Sequence, residues 1–326
     1  MLLAVADPSQ VAHIRRAAVG EARADGFDEA ASARIALVAT ELATNLLKHA
    51  GSGEIVIGRY ADREGDGLEI LSLDKGGGMV DVSKSLQDGV STAESSGTGL
   101  GAVKRQSDHF GIWSIPGHGT AVMARFRRNG AGSGLTFGAV VQPISGETVS
   151  GDGWRFKRTA AGPTILMLDG SGHGAGAAAA LAAGFKAFDD HAEDDCVRLM
   201  EAIHRALTAT RGAAAAVLRI DVPQQAVRFV GVGNIAASII TAGVVRRMVS
   251  LNGVAGYVAP RIREFTYPWQ PGAMIVLHSD GISAKWDLST YPGLAAQHPS
   301  LVAGILFRDH RRPRDDASIL VAAGTP

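Results

Sequence analysis

The chain has a single cysteine, Cys196, among its 326 residues. No internal disulfide can form, which fits a reducing compartment, and a small apolar helix position is the ordinary role for such a thiol. Aromatic residues make up only 6% of a chain that is 46% hydrophobic, so Ala, Val, Leu and Ile must fill any core. Charge of one sign is also missing, because 32 basic and 32 acidic residues cancel. That balance argues against a nucleic-acid or membrane-surface partner reached by bulk electrostatics. No apolar run approaches the roughly 20 residues that span a bilayer. The Ala-rich stretch 174–188 comes nearest, but Gly184 and Lys186 interrupt it and Asp189-Asp190 closes it. The start, Met-Leu-Leu-Ala-Val-Ala-Asp, lacks a basic leader and is too short for a secretory signal. A cytoplasmic protein without nucleic-acid or membrane partners is expected.

Glycine, in contrast, is abundant, and its clusters organise the chain. The run Arg127-Arg-Asn-Gly-Ala-Gly-Ser-Gly134 is polar and without periodicity, so it reads as a linker. We therefore expect a first domain at 1–127, a linker at 128–134 and a second domain at 135–326. In the first, helical spacing runs over 32–50, β-like runs follow at 54–60 and 67–73, a helix is expected at 102–110 and a strand at 120–126. This is an α+β pattern, with helices on one face of a mixed or antiparallel sheet. In the second, β-like runs at 164–168, 214–221, 226–232, 236–241, 274–278 and 318–322 surround helices at 174–188 and 196–207. That pattern predicts a β-sandwich flanked by helices.

Two constellations carry chemistry. On a helix, Glu41, Asn45, Lys48 and His49 return to one face. A carboxylate there can accept a proton from an attacking hydroxyl, and an amide oxygen one turn on can ligate Mg²⁺. Asp74 ends a strand and runs into Gly76-Gly-Gly78, where an acceptor can meet an exocyclic amine and glycines allow close approach. Gly97-Thr98-Gly99-Leu-Gly101 precedes a helix, so free N–H groups can cradle phosphates. In the second half Asp152, Asp169, Asp280 and Asp315 each sit where a strand ends or a turn begins. Carboxylates converging from distant segments repel one another unless cations neutralise them. Oxygen-only ligands favour Mg²⁺ or Mn²⁺, and a pair of such ions can direct water in line at phosphorus.

The succession Glu41–His49, Asp74–Gly78, Gly97–Gly101 and Gly119-Thr120 resembles the GHKL ATPase superfamily. Within it, Asp88-Gly-Val-Ser-Thr and the stretch from Gly99 to Phe110 look like the RsbT-type serine kinases and their anti-sigma relatives. The resemblance implies an α/β sandwich that binds ATP and Mg²⁺. Glu41 would be general base, Asn45 would sit on Mg²⁺ and Asp74 on adenine. The glycines from Gly97 to Gly101, with Thr98, would hold the phosphates, and Lys48, Gly76, Gly78 and Thr120 would complete the pocket. His49 does not make this a histidine kinase, since no upstream dimerisation helix bearing an acceptor histidine precedes it.

The second half resembles the metal-dependent phosphatases of the SpoIIE class, RsbX-type enzymes above all, over Gly146–Asp152, Asp169–Gly174, Thr210–Ala214, Gly231–Ile235, His278–Gly281 and Arg308–Ser318. By that resemblance Asp152, Asp169, the Gly170 carbonyl, Asp280 and Asp315 hold two Mn²⁺ or Mg²⁺ ions, with Asp315 preferred to Asp316. Ser171 stands where the wider family often has a proton-donating histidine. His173, two residues later, is expected to orient the loop or face solvent, with metal-bound water serving the leaving group and His173 as general acid the alternative. Asn234 is expected to be a turn that shapes the site. Together the resemblances imply a bifunctional Ser/Thr kinase and phosphatase acting on STAS-domain phosphoproteins of a bacterial partner-switching circuit, with a sigma factor or other signalling protein downstream. Two alternatives stand beside this. In one the ATP domain is an adaptor that sequesters its partner, and in the other ATP is an allosteric ligand for the phosphatase.

Overall fold

The computed structural model describes residues 1–86, 99–130, 134–257 and 261–324. They form two compact units, one of residues 1–138 and 288–308, the other of residues 139–287 and 309–326. The expected boundary at the Gly-rich run differs from this division in one segment. Residues 288–308 lie far into the second half of the sequence yet pack with the first unit.

The first unit opens with strand β1 (Leu2–Val5) and helices α1 (Pro8–Ala24) and α2 (Glu29–Asn45). Asp7 starts α1 with a capping box to Gln10, and Asp28 starts α2 by accepting from the Ala31 N–H at 2.7 Å. Strands β2 (Gly53–Asp62) and β3 (Gly65–Asp74), the short α3 (Val82–Ser85) and α4 (Gly99–Gln106) follow. Strands β4 (His109–Ser114) and β5 (Thr120–Asn129) complete an antiparallel sheet of order β1-β2-β3-β5-β4. Side chains alternate across it. Ile55, Ile57, Leu68, Ile70, Val122, Ala124 and Phe126 face the helices and form one core with Ile14, Ile35, Leu42 and Val103.

The helix expected at 102–110 begins three residues earlier and ends at Gln106. Ser107 closes its last turn by bonding the Val103 carbonyl through both N–H and hydroxyl, and His109 then pairs with Arg125 in the sheet. The helix expected to reach residue 50 changes type after Asn45. Leu46–Ala50 form one π-helical turn, wider than the α-helix before it.

The second unit has two sheets. The first contains β7 (Asp152–Thr159), β8 (Gly162–Gly170), β9 (Ala213–Asp221) and β10 (Ala226–Val232), preceded in the chain by β6 (Thr136–Gln142). Helices α5 (Ala175–His191) and α6 (Cys196–Leu207) pack on it through Leu166, Leu168, Ala215 and Val217. The alternate residues Ile165, Met167, Ala216 and Leu218 are buried too, so both faces of these strands are covered. Strands β11 (Ala236–Thr241), β12 (Val244–Arg247), β13 (Ser250–Leu251), β14 (Phe265–Pro268), β15 (Met274–His278) and β16 (Ala317–Ala323) finish the unit. The sheet orders are β13-β10-β9-β8-β7, with β14 on β10, and β12-β11-β15-β16-β6. The last helix, α7 (Pro299–His310), crosses the unit boundary near its end, and each of its residues from Pro299 to Arg308 is buried.

Candidate nucleotide and metal sites

Glu41 and Asn45 stand one turn apart on α2, both half-buried. A Cβ on Gly99 would lie 3.3 Å from Asn45 Oδ1 and 3.5 Å from Glu41 Oε2, so the start of α4 backs onto this pair. Asn45 Nδ2 is buried and has no hydrogen-bond partner among the described residues. Such an orphan costs about 1–3 kcal/mol, and a bound polyphosphate or its hydration shell would relieve it. Asp74 ends β3, where its Oδ1 accepts from the Gly76 N–H at 2.8 Å and the Thr120 N–H at 3.1 Å. Burial raises the pKa of its carboxyl. Gly76 is packed so closely that a Cβ would meet the Ala50 Cβ at 2.8 Å.

Other expected residues contribute differently. Thr120 is buried with its hydroxyl 2.8 Å from Ser114 Oγ, so it serves the site through its N–H. Gly101 is buried in α4, and Gly78 turns at φ +70° beside the Ile115 carbonyl. Lys48 and His49 ride on the π turn and are exposed, so the one-face geometry expected of them holds only as far as Asn45. Gly97, Thr98 and the stretch from Asp88 to Thr92 lie outside the described residues. Sequence reasoning missed Arg308, whose guanidinium donates to the carbonyls of Asp74 and His118. No local pattern announces it, because it arrives from the far end of the chain.

The acidic residues gather in the second unit. Asp152 begins β7 directly opposite Asp169 on β8, a pairing of like charges that is unfavourable unless neutralised. Burial raises the pKa of both, reinforced at Asp169 by Asp152, Asp280 and Asp315, and at Asp152 by Asp316 and Asp315. Asp315 is raised by burial and by Asp280. The neighbouring Asp316 is spent on structure, since its Oδ1 accepts from the Ile144 N–H at 2.6 Å and its Oδ2 from the Gly151 N–H at 2.7 Å. Asp315 thus raises both buried carboxyls, whereas Asp316 raises Asp152 while its own oxygens already accept these N–H groups. Gly170, next to Asp169, is pinned through its N–H to the Gly151 carbonyl at 2.8 Å. Asn234, expected only to shape a turn, donates from Nδ2 to Asp280 Oδ2 at 2.6 Å and so orients that carboxylate. His173 faces solvent and pairs through Nδ1 with Glu147 Oε1 at 2.9 Å.

These groups fit hard cations. The donors are all oxygen, the carboxylates repel one another, and Asp152 Oδ2 is buried without a partner among the described residues. Among those residues no three His, Cys, Asp or Glu side chains are already closed on one ion position.

Residues 161–323, half of the chain, match the family described as Stage II sporulation protein E (SpoIIE). Residues 4–126 match the histidine kinase-like ATPase domain. The serine/threonine-protein kinase RsbT of Bacillus subtilis (strain 168) is 42% identical over 99 residues, which are 30% of this chain and 74% of that protein. The chain joins an RsbT-family domain to a SpoIIE-family domain. Its first half has the GHKL-like ATPase fold and its second the PP2C-type phosphatase fold.

Two solved structures extend the likeness. One, described as "The bacterial stressosome: a modular system that has been adapted to control secondary messenger signaling", has a TM-score of 0.53 and 28% identity, covering 58% of this chain and 98% of that one. The other is RsbX in complex with magnesium, with a TM-score of 0.52 and 19% identity over 60% of this chain and 97% of that one. At that identity RsbX supports the fold alone. A kinase-like domain and a domain of the SpoIIE phosphatase family thus occur together in this chain. Among the described residues no helix is long and apolar enough to cross a membrane.

Proposed function

We propose that this chain phosphorylates and dephosphorylates Ser or Thr on STAS-domain partners in a bacterial partner-switching circuit, from the cytoplasm. One observation carries the reading. The chain retains Glu41 and Asn45 against Gly99 in one unit and a mutually repelling cluster of aspartates in the other.

For the kinase, a partner hydroxyl gives its proton to Glu41 as its oxygen bonds the γ-phosphorus of ATP. The bond from that phosphorus to the β,γ-bridging oxygen breaks, leaving ADP. Asn45 would hold Mg²⁺, Asp74 would accept from the adenine amine, and Gly99 would let the phosphates approach. An adaptor that only sequestered its partner would have no use for a carboxylate at position 41.

For the phosphatase, Asp152, Asp169, the Gly170 carbonyl, Asp280 and Asp315 would hold two Mn²⁺ or Mg²⁺ ions. Cations there would supply charge to the phosphoryl oxygens and acidify the attacking water. Water then bonds the phosphorus, the bond to the serine oxygen breaks, and that oxygen takes up a proton as it leaves. The test combines the full chain, ATP and a STAS-domain protein encoded beside it, following the partner's mass through gain and loss of phosphate. No gain with wild type would sink the kinase reading, and no metal-dependent loss would sink the phosphatase reading.

A further inference from the structure

Arg211 stands apart in the second unit. It sits just before β9, whose Ala213 pairs with Gly170, and its neighbour Gly212 accepts through its carbonyl from the Ser171 N–H at 3.0 Å. Its side chain therefore starts beside the loop that leads from Asp169 into α5. A Cβ on Gly176 would lie 2.6 Å from the Arg211 Cζ and 2.7 Å from its Nε, and one on Gly172 would lie 3.3 Å from Nη1. The guanidinium thus lies across two glycines, where any side chain would displace it.

Its backbone is held firmly. Thr210 Oγ1 donates to the Leu207 carbonyl at 2.7 Å and accepts from the Gly212 N–H at 3.0 Å, while the Tyr257 hydroxyl donates to the Thr210 carbonyl at 3.2 Å. On the same loop His173 is already paired with Glu147. Arg211 is exposed and has neither an ion pair nor a hydrogen bond among the described residues. An unpaired guanidinium lying against the loop that follows Asp169, on a backbone held at both neighbouring residues, has a plain chemical use. It offers a planar fork of donors to phosphate oxygens, which the acids would otherwise repel.

We propose that Arg211 grips the phosphoryl group of the substrate, holding its non-bridging oxygens over the Asp169 loop. This rests on the phosphatase reading and deepens it. The specificity is for the phosphate itself, so a phosphoprotein and a small aryl phosphate should depend on Arg211 alike.

The experiment uses the full chain with Mn²⁺ and compares wild type with Arg211→Met and Arg211→Lys. Three quantities are read: kcat/KM on a phosphorylated STAS protein, kcat/KM on p-nitrophenyl phosphate, and the dissociation constant of inorganic phosphate by calorimetry. Losing a charge-assisted bond predicts a drop of about 10- to 100-fold in all three for Arg211→Met. Arg211→Lys should recover part of it, with melting temperature and Mn²⁺ requirement unchanged. A loss confined to the phosphoprotein would overturn the proposal, because Arg211 would then touch the protein and not the phosphate. Equal phosphate binding by wild type and Arg211→Met would overturn it as well. Should wild type hydrolyse neither substrate, the phosphatase reading fails and takes the substrate role of Arg211 with it, whereas hydrolysis by wild type with unchanged phosphate binding in Arg211→Met overturns this proposal alone.

Discussion

Glu41 faces the same backbone position as Asn45, yet the chemistry asks different things of them. A general base is needed only as the hydroxyl loses its proton, whereas a magnesium ligand is needed for the nucleotide to bind. Glu41→Gln keeps the shape and removes the base, so phosphorylation of the partner should fall about 10²- to 10⁴-fold while ATP affinity stays near wild type. Calorimetry with ATP beside a phosphorylation time course checks both, and normal transfer by Glu41→Gln would remove the assigned base.

Asp152 and Asp169 give a second residue-level test, through pH. Their pKa values are raised in the folded protein by burial and by neighbouring carboxylates. Between the unfolded value of about 4 and the raised folded values, the folded state therefore holds protons that the unfolded chain has released. In chelator this stabilising contribution is fully present at low pH and is lost as pH rises. Each tenfold gain in proton affinity on folding is worth about 1.4 kcal/mol. Other groups aside, the melting temperature in EDTA should decline from about pH 5 to about pH 8. Asp169→Asn should flatten the decline, and Mn²⁺ should reverse it in wild type. A decline of equal slope in both proteins would show that these carboxyls are not its source.

At the scale of elements, α7 is the one whose role the sequence concealed. β2, β3 and β5 were legible as β-like runs, β3 and β5 being buried on both faces over most of their length. The strands of the second unit were visible as short apolar runs. Residues Pro299 to Arg308 are buried on every side, so α7 has no polar stripe to mark its face, and its partners lie on β3 and β5. The sheet face opposite α1 and α2 carries Leu71, Leu73 and the buried Arg125. Arg125 donates to Glu69 at 2.6 Å, to Asp62 at 2.8 Å and to Ser300 Oγ on α7 at 3.2 Å. The same nonlocality hid Arg308 from the nucleotide site and the Asn234 contact from the acid cluster. Each depends on a tertiary approach that no spacing encodes. The aspartates were legible because each stands at a strand end in its own short motif.

A pair of glycine substitutions tests this packing. A Cβ on Gly304 of α7 would fall 2.7 Å from Leu71 Cδ2 and 2.9 Å from Leu73 Cδ2. Gly304→Val should therefore cost about 1–3 kcal/mol through overpacking. On α1, Gly20 has nothing within 4 Å of a Cβ, and Gly20→Ala should gain about 0.5–1 kcal/mol from helix propensity alone. Thermal melting should rank Gly20→Ala above wild type and Gly304→Val below it. A Gly304→Val protein melting with wild type would mean that α7 does not lie on β3.

For the whole molecule, the two proposed activities together set a constraint that neither would set alone. A kinase and a phosphatase acting on the same residue consume ATP without net change in the partner, and the steady level of phosphate reports the ratio of their rates. With Mg²⁺, Mn²⁺, ATP and a STAS-domain partner, wild type should release ADP continuously. Asp169→Asn should release about one ADP per modified residue and then stop, with the partner fully phosphorylated, because each transfer uses one γ-phosphate. Glu41→Gln should leave an unmodified partner unmodified and strip a phosphorylated one. Coupled ADP detection beside intact-mass measurement separates these outcomes. If wild-type ADP release stops as early as in Asp169→Asn, the two activities do not share a residue, and the phosphatase must be matched to another phosphoprotein. If Asp169→Asn continues to release ADP after the partner is full, the ATP is being hydrolysed by water, and Glu41 would be serving an ATPase instead of a protein kinase.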